Sequence, residues 1–371
     1  MIDPKVLDKM MPYMTTNYGN ASSSEHIYGW TSNESVNHSR EQISALINCS
    51  PNEIFFTSGA TESNNIAILG SIDLDDSNTH NITIKTEHKS VLDIFKHLSK
   101  NGMSTSYIDV HKDGIVDLEE IENAIIPKTK LISIMIANNE IGVIQPIEEI
   151  ARICRQNNII LHVDAAQALG KINLDLMKMN IDLMSFSAHK IYGPKGIGAL
   201  YINRKTMRNI IKPITFGGGH EKGLRPGTLP VHNIVGFGEA CHIAKKELEK
   251  NYTFIDSLTN LMLDKLSKGF GEITVNGSKE FRIPGNLNIS FSNLKQEPLI
   301  QRIKKIAVSS GSACTTSNPE PSHVLRALGI SKSLINSTIR IGIGKFNTEN
   351  EIENAADYIL KIVNNLKINK R

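Results

Sequence analysis

Between residues 53 and 245, short apolar runs alternate with amphipathic stretches of helical period, and no other feature constrains the fold as tightly. Runs occur at 53–57, 81–85, 131–136, 159–163, 182–187 and 198–202. They are too continuously apolar to leave one face in water, which is the mark of strands covered on both sides. The stretches between them, at 62–69, 90–100 and 147–156, carry the spacing of helices. Strand and helix in strict turn predict an α/β fold built on a large, mostly parallel sheet.

The texture changes after residue 232. A long helical region at 233–269 reads as kinked or broken, followed by strands at 272–275, 286–291, 306–309 and 337–343. Helices are expected at 298–304 and 322–328. A last one starts at Thr348-Glu349-Asn350-Glu351, where Thr348 and Glu351 have the spacing of a capping box. This is an α+β pattern. A chain of 371 residues is long enough for two domains. The expected division is a large α/β domain over 14–245 and a smaller α+β domain made of 1–13 and 246–371.

Several functional classes fall away on composition. The net charge of +3 is too weak and dispersed for nucleic-acid binding, and no basic block carries interleaved aromatics. No run approaches the ~18 apolar residues of a membrane span. The opening Met1-Ile2-Asp3-Pro4-Lys5 has neither a signal-peptide core nor the bias of a transit peptide. The four cysteines, Cys49, Cys154, Cys241 and Cys314, are far apart, which argues against a zinc ribbon, a redox dithiol and a disulfide framework. A reducing, intracellular setting is expected.

Chemistry-bearing residues cluster at the ends of the strands. Lys190 follows the run 182–187 in Ser187-Ala188-His189-Lys190, ahead of the Gly-rich turn Gly193-Pro194-Lys195-Gly196. Asp164 ends the run 159–163, with Gln167 a turn later. Ligands of open α/β sheets bind at such strand ends. A lysine for a Schiff base and a carboxylate to keep a pyridine nitrogen protonated are what pyridoxal phosphate requires. Thr57-Ser58-Gly59-Ala60-Thr61-Glu62 turns from strand to helix and offers a phosphate cup. His88, after the run 81–85, could stack on a cofactor ring or move a proton. No nucleotide P-loop and no Gly-x-Gly-x-x-Gly after a strand occurs. Taken singly, each feature has a structural alternative: a solvated lysine, a buried ion pair at Asp164, a generic capped helix start, a structural histidine.

Taken in order, the motifs resemble the pyridoxal-phosphate cysteine desulfurases of the NifS/IscS type, within the class-V aminotransferases. The matching segments are Thr57-Ser58-Gly59-Ala60-Thr61-Glu62-Ser63-Asn64-Asn65, Thr86-Glu87-His88-Lys89, Asn138-Asn139-Glu140-Ile141-Gly142 and Val163-Asp164-Ala165-Ala166-Gln167. They continue with Ser185-Phe186-Ser187-Ala188-His189-Lys190, Gly217-Gly218-Gly219-His220-Glu221, Arg225-Pro226-Gly227-Thr228 and Ser309-Ser310-Gly311-Ser312-Ala313-Cys314. The resemblance runs from about Asp3 to the last helix and implies pyridoxal-phosphate fold type I, of the aspartate-aminotransferase kind.

It also implies roles. Lys190 would form the Schiff base, Asp164 would pair with the pyridine nitrogen, Gln167 with the ring's phenolic oxygen, and His88 would stack on the ring and serve catalysis. Ala60, Thr61, Ser187 and His189 would hold the phosphate, with Thr228 reaching in from the second subunit of a homodimer. Asn139, also a cofactor contact, and Arg340 would bind the substrate carboxylate, for which a planar guanidinium is suited. Cys314, among small and polar residues, would be the reactive thiol: it takes sulfur from L-cysteine as a persulfide and passes it to an iron–sulfur scaffold protein or a tRNA-thiolation relay. By the same analogy it would be a transient iron–sulfur ligand, the one metal-binding role expected. Cys49, Cys154, Cys241 and Trp30 read as structural. The implied setting is the cytoplasm, or a mitochondrion or related organelle in a eukaryote. The alternatives are a selenocysteine lyase or other lyase of this fold, or a catalytically weak partner in a sulfur-transfer assembly. Relatives carry a segment reading roughly Tyr-Leu-Asp-Asn-Ala-Ala-Thr-Thr ahead of the part matching Ile2-Asp3-Pro4, and Gly-Asn-Pro where this sequence has Gly19-Asn20-Ala21. The lack of the first is expected to lower turnover but not cofactor binding.

Overall fold

A computed structural model describes residues 1–204, 211–295, 298–310 and 321–368. The chain divides into two compact units. The first comprises Met1–Tyr107, Leu118–Ile136 and Pro146–Leu248, and the second Ile108–Asp117, Ala137–Gln145 and Glu249–Arg371. This division differs from the sequence boundaries at two places. Residues 1–13 lie in the first unit, and two short segments from the middle of the chain lie in the second.

The first unit is built on seven strands: β1 (Ile54–Thr57), β2 (His80–Ile84), β3 (Ser104–Ile108), β4 (Thr129–Met135), β5 (Ile160–Asp164), β6 (Leu183–Ser187) and β7 (Gly198–Ile202). Their order is β1-β7-β6-β5-β4-β2-β3. The β6–β5, β5–β4 and β4–β2 pairs are parallel, and β7 runs antiparallel to both neighbours. Every expected strand of this unit is present within two residues. β3 escapes the sequence pattern because it is an edge strand, Ser104-Thr105-Ser106-Tyr107-Ile108, largely uncovered by apolar groups. The helix Ile27–Ile47 escapes it too: its buried face includes Gly29, Ser32, Ser39 and Ser44, so small polar residues stand where an apolar stripe is sought.

β1 forms the other edge, and an ion pair closes it. Glu221 accepts the Phe56 amide at 2.7 Å, and Arg40 Nη1 donates to the Ile54 carbonyl. The two side chains meet at 2.8 Å with little exposure. Edge-strand groups left over by pairing are thus satisfied internally.

Polar ladders cross the sheet interior. His162 on β5 bonds Ser133 Oγ of β4 through Nδ1 (2.8 Å) and Ser185 Oγ of β6 through Nε2 (2.9 Å). His80 on β2 does the same with Thr129 (2.8 Å) and Ser106 (2.9 Å). His162 lies level with Ser133 and His80 with Thr129, while Ser185 is reached diagonally, and a slip of register would break these bonds.

In the second unit, β8 (Ile273–Val275), β9 (Asn286–Phe291) and β10 (Thr338–Gly342) form an antiparallel sheet in the order β10-β9-β8. Leu287, Ile289, Phe291, Ile339, Ile359 and Val363 are wholly or almost wholly buried in its core. Each contributes roughly 1.5–3 kcal/mol of burial. The capping box at Thr348 and Glu351 is present and opens the helix Glu349–Leu366. Three expectations are corrected. Residues 233–269 belong to one unbroken helix, Val231–Phe270, of 40 residues. Residues 298–304 hold only the 3-10 turn Leu299–Gln301, and 306–309 supply a single bridge from Ser309 to Arg340. The first segment is interrupted by Arg302 and Lys304, and the second, Ile306-Ala307-Val308-Ser309, is only four residues long.

Burial lowers the pKa of His162 to about 3, from 6.5. Between those values the unfolded chain takes up a proton that the folded protein excludes, so stability is full above about pH 6.5 and falls as pH drops through this window. Going from about pH 7.5 to about pH 5, His162 should account for roughly 2 kcal/mol of lost stability. Urea unfolding at the two pH values should show a smaller loss in His162→Gln than in the wild type. An equal loss in both proteins would contradict the assignment.

Candidate active site

Register brings three motifs to one edge of the large sheet. Gly198, at the start of β7, pairs with Thr57 at the end of β1 and with Ser187 at the end of β6. The segments that follow, 58–61 and 188–190, therefore leave the sheet side by side. A side chain at Gly198 would sit 2.6 Å from Gly59 Cα and 2.4 Å from the Phe186 carbonyl, so only glycine permits this approach. Gly59 opens the helix Ala60–Gly70. Ser187 Oγ lies 3.6 Å from the point where a Gly59 Cβ would stand, and it bonds His189 Nδ1 at 3.0 Å. The helix start with Ala60 and Thr61, together with Ser187 and His189, forms a cup suited to a phosphate. The pKa of His189 is lowered by desolvation first and then by Lys190 and Lys195, two cations that favour an anion here.

Lys190 is exposed in the 3-10 turn Ala188–Ile191 that follows β6. One strand over, Asp164 ends β5, level with Ser185, and is 5 % exposed. Its carboxylate accepts from Asn64 Nδ2 and from the Ala166 amide, each at 2.9 Å. Among the described residues no cation lies within ion-pair distance of it. A buried carboxylate with only neutral donors is the partner that a protonated pyridine nitrogen would complete, so these residues fit pyridoxal phosphate. Gln167 stands half-buried nearby in sequence, its Oε1 accepting from Lys171 at 3.0 Å.

His88 caps the helix Lys89–Lys100, its Nδ1 accepting from the Ser90 amide. Glu87, wholly buried, accepts the Met135 amide at 2.5 Å, and Met135 pairs with Asp164 across β4 and β5. Desolvation, followed by the charge of Asp164, pushes Glu87 well above the ordinary carboxylate range. Thr228 is exposed, after Arg225, which is tied to Glu62 at 2.9 Å.

Within the second unit the structure joins two further residues. Asn138 Oδ1 accepts the amides of Glu140 and Ile141, forming a tight turn that closes at Gly142, where φ is +73°. The Asn139 carbonyl on this turn receives Asn286 Nδ2 (3.2 Å) and Arg340 Nη1 from β10 (3.0 Å). Asn139 and Arg340, 201 positions apart, thus meet.

Cys314 lies outside the described residues. The other three thiols are poor nucleophiles. Burial raises Cys49, with help from Glu53; it raises Cys154 to about 12; and it raises Cys241 well above its ordinary value. Residues to which the sequence attached no role are Asn64, Ser90, Glu87 and the Arg40–Glu221 pair. Asn64, Glu87 and Glu221 stand inside the quoted motifs, but their partners are 26 to 181 positions away. No spacing rule joins them.

The sequence matches the family described as aminotransferase class-V over residues 1–355. It is 50% identical over 367 residues to a probable mitochondrial cysteine desulfurase of Dictyostelium discoideum, covering 99% of this chain and 81% of that one. It is also 50% identical over 367 residues to the cysteine desulfurase IscS of Dechloromonas aromatica, covering 98% of this chain and 88% of that one. Among solved structures, a NifS-like protein superimposes with a TM-score of 0.89 at 36% identity, over 98% of this chain and 97% of that one. Strand-end lysine and aspartate, phosphate cup and near full-length identity agree: the chain belongs to the class-V aminotransferase family.

Proposed function

We propose that this protein is a pyridoxal-phosphate-dependent cysteine desulfurase. It converts L-cysteine to L-alanine and leaves the sulfur as a persulfide on Cys314. The observation that carries the reading is the register of β5 and β6, which puts buried Asp164 and the Lys190 turn on neighbouring strand ends. Bound pyridoxal phosphate supplies an electron sink for bond breaking at the substrate's α and β carbons.

The chain's own residues do the rest. Asp164 pairs with the pyridine nitrogen and holds it in its protonated form. Ala60, Thr61, Ser187 and His189 hold the phosphate and Gln167 the phenolic oxygen, while His88 packs on the ring. Arg340 and Asn139 hold the substrate carboxylate. Lys190 Nζ takes the proton from the substrate Cα and returns one. The Cys314 thiolate attacks the substrate sulfur; the S–S bond forms as the Cβ–S bond breaks, and the carbon skeleton keeps the electron pair and is protonated to alanine. Sulfur then leaves for an iron–sulfur scaffold protein or a tRNA-thiolation relay, with Cys314 a transient cluster ligand. The working form is a homodimer in which Thr228 completes the partner's phosphate site. The setting is the cytoplasm, or a mitochondrion or related organelle in a eukaryote. Among the described residues no helix is long and apolar enough to cross a membrane.

Lys190→Ala should lower sulfide release by more than about 1,000-fold and leave the fold intact by circular dichroism. Wild-type-like release would remove the central assignment. Cys314→Ser should still change the cofactor's visible spectrum on addition of cysteine but form no protein persulfide. A persulfide found by mass spectrometry in this variant would place the acceptor thiol elsewhere. Loss of the Arg340 guanidinium removes a charge-assisted bond worth about 1.5–3 kcal/mol. Arg340→Gln should therefore raise KM for cysteine about 10- to 100-fold while cofactor absorbance is retained; an unchanged KM would exclude carboxylate capture by Arg340.

A further inference from the structure

His88 and Asp164, the two residues assigned to the cofactor ring, are joined through side chains that the sequence left without a role. The Asn64 amide nitrogen donates one hydrogen to Asp164 Oδ2 and the other to Ser90 Oγ, each at 2.9 Å. Ser90 Oγ lies 2.8 Å from His88 Nδ1. The direction of every bond follows. His88 Nδ1 accepts the Ser90 backbone amide at 3.1 Å, so it carries no hydrogen. The Ser90 hydroxyl must then donate to Nδ1, and its lone pair is left to receive Asn64. The Asn64 amide cannot be turned the other way, because its oxygen would face the Asp164 carboxylate.

We infer that Asn64 and Ser90 are positioning residues that fix His88 as its Nε2–H tautomer and lock its ring to the Asp164 carboxylate. Any proton that His88 gives or regains then travels through Nε2, since Nδ1 is committed to two donors. The backbone donor is part of the helix cap and cannot rotate away. The serine hydroxyl can, and this makes Ser90 the adjustable member. Asn64 is wholly buried, and its donors are both spent, so a shift of Asp164 must be felt at Ser90 and at the imidazole.

The inference rests on the desulfurase reading for its consequence in catalysis, but the tautomer can be tested without it. Long-range 1H–15N correlation spectra of the cofactor-free protein should show His88 wholly as the Nε2–H form. Ser90→Ala keeps the backbone donor but removes the hydroxyl, and should shift the Nδ1 resonance; Ser90→Thr should restore it. An Nδ1–H signal in the wild type, or identical spectra in wild type and Ser90→Ala, would overturn the relay whether or not the protein releases sulfide. In the cofactor-loaded enzyme, Ser90→Ala should lower kcat about tenfold, leave KM for cysteine within about twofold, and displace the pH profile of kcat, with recovery in Ser90→Thr. An unchanged pH profile in Ser90→Ala would reduce Ser90 to helix packing. A wild type that binds cofactor but releases no sulfide would instead count against the desulfurase reading alone.

Discussion

A carboxylate buried at the end of a parallel strand has to be satisfied, and the large unit is arranged around that requirement at Asp164. Two neutral donors reach it, one from the turn after β5 and one from a helix 100 positions earlier in the chain. The neighbouring acid, Glu87, is driven toward its neutral form by burial and by Asp164 itself. Among the described residues no cation lies within ion-pair distance of the Asp164 carboxylate. Such a charge is costly in a resting protein and useful to one that binds a cationic ring. The polar ladders at His162 and His80 belong to the same design, because they hold the strands in the register that keeps the strand ends level.

In the first unit Lys190, Asp164 and the helix start at Ala60 stand at or just after the ends of β6, β5 and β1. Within the second unit the turn held by Asn138 receives Arg340 of β10, 201 positions away from Asn139. Burial raises the pKa of Cys49, Cys154 and Cys241, so none of these three thiols is a ready nucleophile.

What could be read in the sequence divides along physical lines. Strands buried on both faces, β1, β2 and β4 to β7, announce themselves as apolar runs, and the helix Ile147–Gln156 matches its amphipathic stretch residue for residue. β3 does not, because an edge strand in water needs no apolar pattern. The strand end at Asp164 and the turn at Lys190 are legible because an acid or a lysine interrupts an apolar run there. The Asn64–Ser90–His88 bridge and the Arg40–Glu221 closure of β1 are not, since each depends on which helix packs beside which strand. Asn139 and Arg340 were named from resemblance alone. Only the antiparallel sheet of the second unit, and the turn fastened to it, explains why they meet.

A desulfurase of this kind is defined by where the sulfur goes. The decisive measurement is a single turnover with L-cysteine labelled at sulfur, quenched by alkylation and read by peptide mass spectrometry alongside the alanine formed. One labelled sulfur on the Cys314 peptide for each alanine released is the predicted result. Alanine formed with the label on Cys49, Cys154 or Cys241, or with no label on the protein at all, would contradict it.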